Sequence, residues 1–282
     1  MASAKPDYLS SEFSFSTKLN AGMLDELPLW SAPFGLKLLD LIDYSKPVKA
    51  LDIGFGSGFP LLELAQRLGN KSFVYGIDPW KPSHLRTKQK IDFYNIRNIE
   101  LLNCGAENIP LRNGIIDLAV SNNGINNVRD IDAVLAELNR VCRKNACFIA
   151  SLNTGGTMAE FYNKLILILN ENEMLREISK VKAHIKFKRI PLFILKRLFL
   201  SNGFGIKYIY RSRFSLKFSD AESFFNHSLI KVGFLESWKN LIPVGKRKFI
   251  FNRIKYMLDY DAKRNGLIEM TIPYVVIKSY KK

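Results

Sequence analysis

The segment Leu51-Asp52-Ile53-Gly54-Phe55-Gly56-Ser57-Gly58 sets three glycines at alternate positions behind an aspartate. Glycines at that spacing let the chain turn sharply and bring bare backbone against a ligand. A helix opening just beyond would add free N–H groups and the positive end of its dipole, yet no lysine follows as in a phosphate-cradling loop. Asp52 can accept hydrogen bonds from a cationic or amine-bearing ligand. A second carboxylate, Asp78, ends the next apolar run, where it can take both hydroxyls of a ribose. It can also cap the helix that follows. Two further polar runs are Asn103-Cys104-Gly105-Ala106-Glu107-Asn108 and Ser121-Asn122-Asn123-Gly124. His84, His184 and His227 are the histidines available for proton transfer, and only His227 is flanked by aromatics, in Phe224-Phe225-Asn226-His227. The three cysteines, Cys104, Cys142 and Cys147, show no CxxC spacing and suggest neither a disulfide framework nor a metal site.

Short apolar runs alternating with helical patterns must carry these groups. Strands are predicted at 48–53, 73–77, 99–103, 115–121 and 147–152, with helices at 61–68, 83–94 and 130–141 between them. This alternation predicts a parallel α/β sheet whose site lies at the carboxyl ends of the strands. All four polar runs fall there. Beyond 152 the rhythm changes: helices are expected at 157–169, 190–200, 221–232 and 246–263, and strands at 206–210 and 271–280. No repeat or low-complexity linker interrupts the chain, which favours one domain with an elaborated C-terminal part.

The chain has 282 residues and a formal net charge of +16, distributed unevenly. Residues 1–150 carry 17 basic and 16 acidic side chains, whereas residues 151–282 carry 25 and 10. Such an asymmetry suits an anionic partner, an anionic membrane face included, or serves solubility alone. The longest apolar stretches are too short to span a bilayer, and residues 1–12 lack the apolar core of a secretory signal. A soluble, cytoplasmic protein is expected.

From about residue 50 to 152 the chain resembles the class I S-adenosylmethionine-dependent methyltransferases, in the small-molecule branch that includes ubiquinone- and menaquinone-type enzymes. The resemblance implies a Rossmann-like, doubly wound, mostly parallel sheet, with helical cap elements from the N-terminus and the C-terminal half. The implied layout is a cap segment at 1–35, a cofactor-binding core at 36–152 and a substrate-cap part of the same domain at 153–282. It implies S-adenosylmethionine as cofactor. Asp52, Gly54, Gly56 and Gly58 would hold its methionine part and Asp78 its ribose. Pro79, Ala106 and Glu107 would lie against the adenine, and Ser121 and Asn122 near the sulfonium. The chain departs from the family at Gly105, where an aspartate is usual, and at Arg143-Lys144-Asn145-Ala146, where a Lys-Pro-Gly-Gly turn is usual. Asn145 can adopt the left-handed conformation that such a turn needs.

The expected acceptor is a small molecule. The Asx-Pro-Pro-aromatic motif of amino-methylating nucleic-acid enzymes is absent after the fourth strand. Aromatic residues gather instead in 1–35 (Tyr8, Phe13, Phe15, Trp30, Phe34, with Leu29) and in 153–270 (Phe161, Tyr162, Phe218, Phe224, Phe225, Trp238, with Met158), which suits an apolar or aromatic acceptor. With the charge of the second half, an anionic or membrane-held acceptor is the expectation, and His227 is the candidate base should a hydroxyl be methylated. The alternative is a non-catalytic S-adenosylmethionine-binding protein serving regulation or assembly. A nicotinamide-dependent dehydrogenase fits less well, because the third glycine comes one residue early.

Overall fold

The computed structural model describes residues 8–9 and 27–282, with side chains in the second stretch from residue 30 onward. The chain forms two compact units. One comprises Ser16–Thr154, Lys188–Ser212 and Pro273–Lys282; the other comprises Met1–Phe15, Gly155–Phe187 and Arg213–Ile272. Phe13, Phe15 and the Leu29 side chain, expected to line a cap, lie outside the described residues.

The first unit is built on a sheet of β1 (Lys49–Ile53), β2 (Phe73–Ile77), β3 (Ile99–Leu102), β4 (Ile116–Asn122), β5 (Cys142–Asn153), β6 (Phe204–Phe218) and β7 (Ile268–Lys281), ordered β3-β2-β1-β4-β5-β7-β6. The pairs from β3 across to β5 are parallel, and β7 runs antiparallel to β5. This is the doubly wound, mostly parallel α/β architecture that the sequence predicts. Its central strands are apolar on both faces, as burial from both sides requires: Ala50, Leu51 and Ile53 in β1, and Leu118, Ala119 and Val120 in β4, are buried.

Helices α1 (Leu27–Asp40), α2 (Leu61–Leu68), α3 (Lys81–Phe93) and α4 (Ile131–Val141) belong to this unit. Asp130 starts α4 by accepting the Ala133 N–H at 3.1 Å. Ile131, Val134, Leu135 and Leu138 then recur on its buried face. β1 pairs with β2 on one side and β4 on the other, so the strand order reverses between β1 and β4. In open α/β sheets the carboxyl ends at such a reversal are where ligands bind.

Two strands outrun their predicted ranges, each by more than five residues in all, and β7 by four. Cys142 already pairs with Ile116, and Asn145, at φ 65°, turns within β5, so the exposed Arg143-Lys144-Asn145 disguises the start of that strand. β6 continues to Phe218, and its exposed Lys207, Arg211, Arg213 and Lys217 leave little apolar signal there. α7 (Leu192–Ser201) falls where the sequence places it. α6 (Leu175–Lys188) does not stand out in the sequence: only Ile178 and Val181 are buried among its lysines.

The second unit is helical: α5 (Ala159–Glu171), most of α6, α8 (Ala221–Asn226) and α9 (Val244–Asn265). Its core is aromatic. Phe161 stacks on Trp238 at 3.7 Å, Trp238 Nε1 donates to the Tyr162 hydroxyl at 3.0 Å, and Phe225 stacks on Tyr8 at 4.5 Å. The helix expected over 221–232 breaks at His227, whose extended backbone (ψ 134°) ends α8 before helical turns resume at Ser228.

Candidate cofactor site

The turn leaving β1 is held in place from three directions. Gly54 N–H donates to Ile77 O at 2.8 Å and Gly58 N–H to Phe55 O at 2.9 Å, folding the segment back on itself. All three glycines have positive φ: 75° at Gly54, 53° at Gly56 and 107° at Gly58. Their surroundings differ. A Cβ at Gly54 would stand 2.8 Å from Gly124 Cα, and one at Gly58 would stand 2.9 Å from Leu62 Cδ1. A Cβ at Gly56 would meet nothing within 4 Å. Two of the glycines therefore serve close packing, and Gly56 faces open space.

From α3, Ser83, Thr87 and Lys90 follow one another at helical spacing; Thr87 and Lys90 address this turn and Ser83 the segment after β2. Thr87 Oγ1 donates to Gly56 O at 3.2 Å, Lys90 Nζ to Ser57 O at 2.9 Å, and Ser83 Oγ to Trp80 O at 2.7 Å. No sequence motif marks these residues, although a polar i, i+4, i+7 row on a helix beside a glycine turn is a readable signal.

Asp52 is fully buried at the end of β1, and neither carboxyl oxygen has a hydrogen-bond partner. Burial, and then the nearby Asp78 carboxylate, push its pKa from 3.8 to about 8. The Leu61 amide leans toward the group and offsets part of that rise without closing a hydrogen bond. A buried acid left in this state is poised for a cationic or N–H-bearing partner.

Asp78 is better supplied. Its Oδ2 accepts from Gly56 N–H and its Oδ1 from Trp80 N–H, both at 2.9 Å. Burial still raises its pKa, against the pull of those two backbone bonds and of His84. His84 Nε2 lies 2.6 Å from Asp78 O, and its ring meets the Phe55 ring at 4.9 Å. Pro79 follows directly, so Gly56, Asp78 and the start of α3 form one connected assembly.

The loop after β3 is braced from α4. Arg140 donates to Ile109 O and Leu111 O at 2.8 Å, and Glu137 accepts the Ile109 N–H at 2.8 Å. The Arg140 hydrogen bond holds the Glu137 carboxyl below its ordinary pKa. Within that loop Ala106 is buried and Glu107 exposed. A Cβ at Gly105 would stand 3.0 Å from Glu107 Oε2, so the side chain of residue 107 occupies room beside residue 105.

At the end of β4 the two predicted residues turn to different work. The Ser121 hydroxyl donates to Ile53 O at 3.0 Å and accepts from Ile125 N–H at 3.1 Å, tying the loops after β1 and β4 together. Asn122 takes the Ser151 hydroxyl on its Oδ1 at 2.6 Å and donates to Ser31 O of α1 at 3.2 Å. A Cβ at Gly35 of α1 would stand 2.7 Å from Asn122 Nδ2. Gly35 and Gly124, neither named as a site residue from sequence, are thus the small residues that let α1 and the post-β4 loop approach.

The ten residues predicted for a cofactor all belong to the first unit, on four adjacent strand ends or the loops leaving them. His227 belongs to the second unit. Its ring meets the Phe218 ring at 5.4 Å, and its Nδ1 is buried without a partner, as is the neighbouring Asn226 Oδ1. His184 lies 6.2 Å from Tyr162, ring to ring.

Sheet order, glycine turn and paired carboxylates at the reversal point define a class, and residues 51–150 match the family described as methyltransferase domain. The match covers the glycine turn, both carboxylates and the end of β4, and it reaches through the strands that carry them. By sequence the chain is similar to the demethylmenaquinone methyltransferases of Bacillus mycoides and Bacillus cereus, at 28% identity over 127 residues, 45% of this chain and 54% of each relative. It spans about half the length of those curated relatives. Among solved structures it shares its fold with the YcgJ protein of Bacillus subtilis, with TM-score 0.56, 16% identity, and 88% and 97% of the two chains covered. It does so as well with geranyl diphosphate C-methyltransferase of Streptomyces coelicolor, with TM-score 0.56, 13% identity, and 98% and 87% covered.

Proposed function

We propose that the protein transfers a methyl group from S-adenosylmethionine to a small apolar acceptor of the aromatic-ring or isoprenoid kind. The observation that carries this reading is the buried Asp52 carboxyl without a partner, set beside Asp78 and the open space at Gly56. A ligand bringing an ammonium group would stabilise the Asp52 carboxylate, and a ribose would find Asp78. Gly56 would leave room for the chain between them, with Pro79, Ala106 and Glu107 on the adenine side. The cofactor supplies an electrophilic methyl group when bound. The protein's share of the work is to orient the acceptor and exclude water, because displacement at a sulfonium needs little covalent help. The acceptor class draws support from the relatives, whose names refer to demethylmenaquinone and geranyl diphosphate. The aromatic core of the second unit adds support, and residues 153–270 are proposed to recognise the acceptor.

His227 is proposed as the proton acceptor where the acceptor must lose a proton, with Asn226 beside it to receive an acceptor hydroxyl. The purified protein, given methyl-labelled S-adenosylmethionine and a total lipid extract, should label an apolar product. His227→Ala should slow the reaction about a hundredfold. Binding of the cofactor with no label transferred to any extract would instead favour the non-catalytic alternative.

A further inference from the structure

The geometry points to α9 as a docking face for an anionic lipid bilayer. This inference rests on the surface of one helix and stands apart from the identity of the acceptor. Ile250, Phe251, Ile254, Leu258 and Ala262 fix the inward side of α9. The opposite side is aromatic rather than uniformly polar: Phe249, Tyr256 and Tyr260 are 48%, 68% and 58% exposed. At about 100° per residue the three rings fall within about 40° of one another and directly opposite the buried row. They form a line about 16 Å long.

The charges reinforce the line. α9 carries Lys246, Arg247, Lys248, Arg253, Lys255, Lys263 and Arg264 against Asp259 and Asp261. Both acids are engaged within the unit: Lys164 pairs with Asp261 at 2.5 Å, and Asp259 accepts the Ala221 N–H at 2.8 Å. Lys255 pairs with Glu222 at 2.5 Å and Arg253 with Glu171 at 3.2 Å. Lys246, Lys248, Lys263 and Arg264 are exposed and make no ion pair among the described residues. Lys246, Lys263 and Arg264 stand within about 60° of the centre of the aromatic line.

A helix with rings along one edge and cations beside them suits the headgroup layer. Tyr and Phe sit at the boundary of chains and headgroups, and lysine stems reach past them to lipid phosphates. A second copy meeting this face would bring like charges together. A nucleic-acid strand is held by a groove or platform of stacking rings, whereas these three rings run along one edge of a single helix. No helix among the described residues is long and apolar enough to cross a membrane, so the contact is interfacial.

The test uses the full chain carrying Tyr256→Trp as a fluorescent reporter, its emission taken as the difference from the unsubstituted chain because Trp30, Trp80 and Trp238 also emit, with phosphatidylcholine vesicles prepared with and without phosphatidylglycerol. The protein should sediment with the anionic vesicles only, and the emission from position 256 should shift to the blue. Phe249→Ser/Tyr256→Ser/Tyr260→Ser should lower the partition about tenfold or more, with S-adenosylhomocysteine binding kept. Lys246→Glu/Lys263→Glu, which leaves the rings in place, should lower it by about fivefold for each cation removed. Unchanged sedimentation of both variants, or vesicle-bound protein with no shift at position 256, would overturn the inference. So would a blue shift produced by a single-stranded oligonucleotide and not by vesicles.

Discussion

Asp52 is the residue whose protonation should differ most between the folded and unfolded chain. Folding raises its pKa from 3.8 to about 8, so between those values the folded protein holds a proton that the unfolded chain has released. The stability of the ligand-free protein therefore falls as pH rises from about 4 through about 8, and the raised pKa of Asp78 acts in the same direction. Asp52→Asn, which cannot ionise, should flatten this slope in thermal unfolding measured across that range; parallel curves for the two proteins would contradict the burial argument. Gly56→Val addresses a different property of the same turn. With φ at 53° and no neighbour within 4 Å of its Cβ, the variant should lose about 1–2 kcal/mol of stability yet lose cofactor binding entirely. Denaturant melts and calorimetry on one preparation separate the two effects. Asp52, Asp78 and the glycines are legible in the sequence because their signal is local, three glycines and two carboxylates at the ends of apolar runs. The use of Ser121 as a tie between Ile53 and Ile125 is not legible, since it depends on two loops meeting in space.

At the scale of elements, small residues and one brace decide how the loops meet. Gly124 faces the carbonyl of Ile53, and a Cβ there would collide with backbone that cannot move aside. Gly124→Ala should cost about 1–3 kcal/mol in unfolding free energy. The brace from α4 makes a separate prediction. Arg140→Met removes the hydrogen bonds to Ile109 O and Leu111 O while keeping the apolar stem, so the post-β3 loop loosens. KM for the cofactor should then rise several-fold with kcat little changed, which steady-state kinetics reads directly; a fall in kcat alone would deny the loop a binding role. The core strands β1 to β4 are legible as continuous apolar runs bounded by turn residues. The extension of β6 beyond Tyr210 and the whole of α6 are not, because basic side chains on their outer faces break the apolar period that would reveal them. Gly35 escapes sequence reading for another reason: a glycine inside a helix declares nothing until its neighbour, Asn122, is known.

At the scale of the whole molecule, charge and fold divide differently along the chain. Residues 1–150, which hold the methyltransferase match, are nearly neutral, and residues 151–282 carry almost the whole excess of +16. If that charge steers an anionic acceptor, kcat/KM should fall as salt rises to physiological strength, where the screening length shrinks to about 8 Å. Turnover independent of salt would reduce the charge to a solubility device. The site at the strand ends where the order reverses is tested most directly by calorimetry of S-adenosylhomocysteine binding. Pairing its ammonium with Asp52 must draw the carboxyl back below neutrality, so a group that holds its proton up to about pH 8 in the free protein gives it up on binding. One molecule should bind per chain, with most of one proton released to buffer at neutral pH and no such release from Asp52→Asn. Binding of NADH with no response to S-adenosylhomocysteine, or binding that releases no proton, would contradict this reading.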